Sequence, residues 1–238
     1  MITEYENEPI PGLPGLLPKG ENILWQGSPE WRPLAATAFH TRLISGYFVL
    51  LVAIAAITAF VQGAQSLGDF RGIAITAALG IVGVGLLNLI AWGTARSTIY
   101  TLTDRRVVLR LGIALPKCIN LPLGLIESVD LLQRADGTGD LPLLVTGGQR
   151  IGYAGLWPHA RPWHFQMPQP MMRSIANADA VAKLVAQTCL AANPGSKMGT
   201  IAATATAPQS SIRDASIGEA RLGEASFVAP SFAEVAPA

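Results

Sequence analysis

The sequence predicts an α+β membrane protein in which a two-helix transmembrane hairpin is followed by a small cytoplasmic antiparallel β-barrel or sandwich capped by a C-terminal helix. Three observations carry that expectation. Half of the 238 residues are hydrophobic and only 14% are charged, where an ordinary soluble domain has roughly a quarter charged. The apolar excess is concentrated in two runs, Leu43–Val61 and Gly72–Trp92. After Trp92 the hydrophobic period changes, and short β-rich runs are punctuated by Gly and Pro.

Residues 1–27 read as an N-terminal cytoplasmic segment. Its acidic, proline-rich start does not fit a cleaved signal peptide, so the first span is expected to stay on the protein. Over residues 28–42, Ser28-Pro29-Glu30 looks like a helix start, with Ser28 as cap and Pro29 in the first turn. Trp31, Leu34, Ala35, Ala38 and Phe39 follow at helical spacing, which predicts a short interfacial helix. Trp31 and Trp92 would then lie at headgroup level, where indole rings are favoured, and His40 reads as an interfacial residue at the edge of the span.

The hairpin is expected over residues 43–95. Each apolar run is about 20 residues long, enough to cross a hydrocarbon core of about 30 Å. The connection Gln62–Arg71 is too short for a domain, so the two helices run antiparallel and both ends emerge on one membrane face. Arg32 and Arg42 on one flank, with Arg96, Arg105, Arg106 and Arg110 on the other, outnumber Arg71 in the turn, which places both termini in the cytoplasm. Arg96, Arg105 and Arg106 are expected at the membrane surface, where each cation gains about 1 kcal/mol from anionic lipid. Ala55, Ala59, Ala74, Ala78, Gly80, Gly83 and Gly85 suit close packing, either within the hairpin or in a homodimer.

Residues 96–192 form the β domain of this reading. Thr98–Thr103 and Arg106–Leu111 flank an Asp104-Arg105 turn, and further strands are expected at Cys118–Leu121, Ile126–Leu132, Leu141–Val145 and Arg150–Tyr153. A helix at about 178–192, capped by Asn177 or Asp179, carries Val181, Leu184, Val185, Thr188, Cys189 and Ala192 on one face. Short strands closed by one amphipathic helix are the outline of a pleckstrin-homology (PH) type barrel. Residues 193–238, rich in Ala, Ser, Thr and Pro, read as a disordered tail.

Charge and motifs narrow the chemistry. A net charge of +1 gives no support to nucleic-acid binding. Cys118 and Cys189 make no disulfide framework or zinc pattern. Neither G-x-S-x-G, a P-loop lysine nor H-E-x-x-H occurs, and Glu127 and Asp130, i and i+3 in a strand, point to opposite faces and read as solvated edge charges. His159 and His164 bracket Arg161 and Trp163, but no cysteine or carboxylate close in sequence completes a metal site. No catalytic residue, metal or cofactor is therefore expected. Trp157, His159, Arg161 and Trp163 leave two readings open. Trp and Arg could stack to close the barrel, or a loop stiffened by Pro158 and Pro162 could form a partner-binding surface.

The run Tyr100-Thr101-Leu102-Thr103-Asp104-Arg105-Arg106-Val107, then Gly112-Ile113 and Ile119-Asn120-Leu121-Pro122-Leu123, resembles the bacterial PH domain that follows membrane helices in many bacterial proteins. More specific are Gly12-Leu13-Pro14, Gly20-Glu21-Asn22-Ile23-Leu24-Trp25-Gln26-Gly27, Gly137-Thr138-Gly139-Asp140, Leu156-Trp157-Pro158-His159-Ala160-Arg161-Pro162-Trp163 and Pro168-Gln169-Pro170-Met171-Met172-Arg173. Together, over roughly residues 9–192, they resemble the photosynthetic complex assembly proteins of purple bacteria, the PuhB family. That resemblance implies a non-catalytic, multi-pass factor of the bacterial inner, intracytoplasmic photosynthetic membrane. It implies reaction-centre and light-harvesting 1 subunits as partners, beside membrane lipids. The alternative is a membrane-tethered PH scaffold or envelope sensor unrelated to photosynthesis.

Overall fold

The computed structural model describes residues 10–63, 67–113, 115–146 and 152–193. The first element is a strand, β1 (Ile23–Gly27), where the sequence suggested only a cytoplasmic segment. Helix α1 (Trp31–Thr37) begins later than Ser28-Pro29 suggested, with Glu30 as its N-cap and no side-chain cap bond. The Glu30 N–H donates to the Ser174 carbonyl at 2.7 Å, so the chain stays extended until Trp31.

Helices α2 (Thr41–Val61) and α3 (Arg71–Ser97) match the two apolar runs and pack against each other; both are long and apolar enough to cross a membrane. A short 3-10 turn, Leu67–Phe70, leads into α3. Large apolar side chains stand exposed along both helices, among them Leu50, Ile57, Leu79, Val82 and Leu86. Gly80 lets the helices approach, since a Cβ there would fall 2.9 Å from the Phe48 ring, whereas Gly83 and Gly85 face open space. α3 continues past Trp92 because Ala91 and Ala95 pack against Leu34, Ala35 and Phe39 in a small core of their own.

From α3 the chain enters β2 (Ile99–Thr103) through Thr98 alone. β2, β3 (Arg106–Leu111) and β4 (Lys117–Pro122) continue from β1 as an antiparallel four-stranded sheet in the order β1-β2-β3-β4. The second sheet is built on β7 (Gly139–Val145), which pairs with β5 (Ile126–Val129), β6 (Leu132–Gln133) and β8 (Met171–Ile175). The single strand expected over Ile126–Leu132 is interrupted at Asp130-Leu131. Asp130 N–H donates to Pro142 O at 3.2 Å, and proline has no N–H to return the bond.

Among the described residues the two sheets do not join into a closed barrel, which corrects the barrel form of the expectation. They share one core instead, with Tyr100, Leu102 and Leu109 from the first sheet and Leu141, Leu143 and Met172 from the second. Helix α5 (Ala178–Ala192) closes it with Val181, Val185 and Cys189, and burial pushes the Cys189 thiol up to about 11. Asn177 is the N-cap of α5 by position but makes no side-chain cap bond. Of the strand expected over Arg150–Tyr153, residues 150–151 lie outside the described residues, and Tyr153 opens a one-turn helix, α4 (Tyr153–Leu156). The tail beyond Asn193 also lies outside the described residues.

Candidate functional site

The segment from α4 to β8 holds the unusual cluster, and the structure splits it between interior and surface. Trp157 is half exposed, with its ring edge-on to Phe39 at 5.4 Å between centroids. Phe39 lies in the short link between α1 and α2, so the cluster lies beside the root of the helix pair. Arg161 does not stack on either tryptophan; it bonds Asp130 at 3.1 Å and Gln169 at 3.0 Å. Asp130 is thus a part-exposed charge with a partner that the sequence did not indicate. Trp163 is 85% exposed and held at φ 65°, a left-handed conformation that a bulky residue rarely adopts.

His159 departs from the partner-surface expectation because it is completely buried. Its Nδ1 lies 2.8 Å from the Tyr100 hydroxyl and its Nε2 3.3 Å from Thr98 Oγ1. The hydroxyl accepts the Arg173 N–H at 3.0 Å, so its own proton points to Nδ1 and the imidazole carries its hydrogen on Nε2, toward Thr98. Burial, with the nearby Arg173 charge, pushes the imidazole down to about 3, while burial drives the Tyr100 phenol upward. The ring is a neutral structural link between β2 and the Trp157–Arg161 loop. Its two flanking prolines gave no sign of this, because Tyr100 lies far away in sequence.

The basic residues assigned to the membrane surface also divide. Trp31 and Trp92 are exposed, Arg32 lies 5.4 Å over the Trp31 ring, and Arg96 is exposed in the last turn of α3, where a cation complements the helix dipole. Arg105 and Arg106 lie at the other end of the β2–β3 hairpin, about 14 Å along the strand from the end of α3. The direction of the strand thus separates them from Arg96, to which they are near in sequence. Arg106 clamps Glu21 through two bonds of 2.8 and 2.9 Å, and Arg105 donates to the Gly20 carbonyl. Burial opposes ionisation of Glu21, but the bonds from Arg106 and Thr103 and the charges of both arginines outweigh it and hold the carboxyl low.

A second concavity of about 720 Å³ lies between α1, the start of α2 and the turn before β7. Arg32, Arg42 and Arg134 line it against Glu30 and Asp136. Arg134 is already committed to Asp140 at 2.6 Å, so the lining is nearly balanced in charge. Between α2 and α3 a groove of about 530 Å³, lined by Phe48, Val52, Gly80 and Val84 with Ser45 and Asn88, opens along the helices.

Comparison with known proteins agrees with this architecture. The family model described as Bacterial PH domain matches residues 43–188, helices and sheets together. An uncharacterized 23.7 kDa protein in the puhA 5' region of Rhodobacter capsulatus is 37% identical over 190 residues, covering 79% of this chain and 88% of that relative. No solved structure matches. With more than half of its length inside the family model, including two apolar helices, antiparallel strands and a closing helix, the chain belongs to the bacterial PH domain family.

Proposed function

We propose that this protein is a non-enzymatic integral membrane assembly factor for the photosynthetic reaction centre and core light-harvesting 1 complex, acting by binding nascent subunits. The observation that carries the proposal is the extended similarity to a protein encoded in the puhA 5' region. In this reading α2 and α3 cross the inner membrane as a hairpin, with both termini and the PH domain in the cytoplasm. The excess of arginines outside the turn supports that orientation. The exposure of apolar side chains all along both helices supports insertion, since in water such a surface would be costly. Binding without turnover suits a hairpin that presents an open groove to neighbouring transmembrane helices.

Deletion of the gene from a photosynthetic host tests the proposal. Under conditions that demand new photosynthetic membrane, the deletion strain is expected to accumulate less mature reaction centre and core antenna. Unchanged levels would remove the assembly role and favour the second reading, a membrane-tethered PH scaffold, which the family membership supports by itself.

A further inference from the structure

We propose that the PH domain has its own membrane anchor, an apolar rim formed by the β3–β4 loop and the loop after α4, which lies in the lipid headgroup layer beside the hairpin. This rests on the reading that α2 and α3 cross the bilayer. The rim consists of Ile113 and Leu115 from the first loop and Trp157, Trp163, Phe165 and Met167 from the second. Their exposures run from 50% for Ile113 to 86% for Leu115. Isolated exposed apolar residues are ordinary, but six large ones on two adjoining loops are an interaction surface.

Three contacts fix where this surface lies. A Cβ built on Gly93, one residue beyond Trp92 in α3, would meet Ile113 at 3.5 Å. Trp157 packs on Phe39 at the root of α2. The elements that border the two loops approach each other, because a Cβ on Gly155 in α4 would come within 2.9 Å of Nζ of Lys117, the first residue of β4. The rim is therefore continuous with the ends of both helices where they leave the apolar span. Trp163 and Phe165 stack edge to face at 6.3 Å, and Tyr153 backs Phe165 at 4.7 Å, so the outermost rings are braced from behind.

Charge selects lipid as the occupant. Residues 112–117 and 152–170 contain no Asp or Glu but hold Lys117 and Arg161. Asp130, which reaches the second loop from the end of β5, is neutralised by Arg161. Aromatic rings beside the Lys117 cation, with no carboxylate in the loops themselves, match an anionic headgroup layer. The left-handed backbone at Trp163 turns its ring outward rather than into the domain.

The full-length protein in nanodiscs of phosphatidylcholine and phosphatidylglycerol, with and without brominated acyl chains, tests this. The difference in tryptophan emission between wild type and Trp163→Ala isolates the Trp163 signal, and Leu79→Trp in the Trp163→Ala background reports the middle of α3. Bromination is expected to quench the Trp163 component about twofold or more, as for a ring at the interface. An unquenched Trp163 beside a quenched Leu79→Trp signal would overturn the anchor while leaving the hairpin intact. If that unquenched Trp163 signal then shifts to the blue on addition of solubilised reaction-centre subunits, the loop is a protein-binding face instead. If neither signal is quenched, the hairpin reading fails and the anchor falls with it.

Discussion

The hydroxyl of Tyr100 lies 2.8 Å from Nδ1 of His159, joining the first strand after the helix pair to the loop of the aromatic cluster inside the core. Because the folded imidazole titrates at about 3 and an unfolded one near 6.5, the unfolded chain binds a proton across that interval and the folded chain does not. Stability contributed by His159 is therefore fully present above pH 6.5 and falls as the pH drops toward 3. Denaturant titrations in detergent at pH 7 and pH 4.5 should show a loss that is smaller in His159→Gln. An equal loss in both proteins would show that other groups dominate.

Tyr100→Phe removes one hydroxyl and strands two partners, Nδ1 of His159 and the N–H of Arg173. Leaving buried polar groups unpaired costs about 1–3 kcal/mol each, so a loss of at least that order is expected in the same titration. A change within about 0.5 kcal/mol would mean that the network relaxes around the missing oxygen.

Glu21 and Arg106 fasten β1 to the sheet. The Glu21 side chain is 1% exposed and that of Arg106 31%, so breaking the pair should cost about 2–3 kcal/mol, less than for a fully enclosed one. In Glu21→Gln, hydrogen exchange is expected to quicken over Ile23–Gly27 while α5 stays protected. With its folded pKa depressed, the carboxylate gives stability that is present above its unfolded value and lost as the pH falls through the folded one. The wild-type strand should loosen in acid accordingly.

Gly80 and Gly83 give a paired test of the hairpin. Gly80→Val drives a side chain into Phe48 and should separate α2 from α3, lowering thermal stability in detergent. Gly83→Val meets open space and should leave it nearly unchanged. Equal effects would place the close approach elsewhere.

Orientation is open to cysteine labelling. A cysteine at Gly68 should react with an impermeant reagent from the periplasmic side, and one at Ser196 should not. The reverse pattern would invert the arrangement.

What could be read from the sequence follows its periodicity. The spans, the β2–β3 hairpin and α5 show uninterrupted apolar runs, β-rich runs on either side of an Asp104-Arg105 turn, or a 3.6-residue stripe. β8 shows none of these: Met171–Ile175 is buried throughout, with Arg173 in its middle, so it does not alternate. β1 is short and mostly exposed and is held by Glu21 to an arginine 85 residues away, a partnership no local pattern reports. In the same way, the burial of His159 and the pairing of Arg161 with Asp130 are set by which strands meet, and the cluster's composition alone could not separate its inward members from its outward ones.

Thr98 is the one residue between the end of α3 and the start of β2, and it is buried against His159. There is no slack at that joint. A helix that tilts to fit a thinner or thicker bilayer turns the first sheet with it, as a shaft turns a blade keyed to its end. In the proposed arrangement, with α2 and α3 crossing the bilayer, the pitch of the PH domain is then geared to the bilayer's thickness.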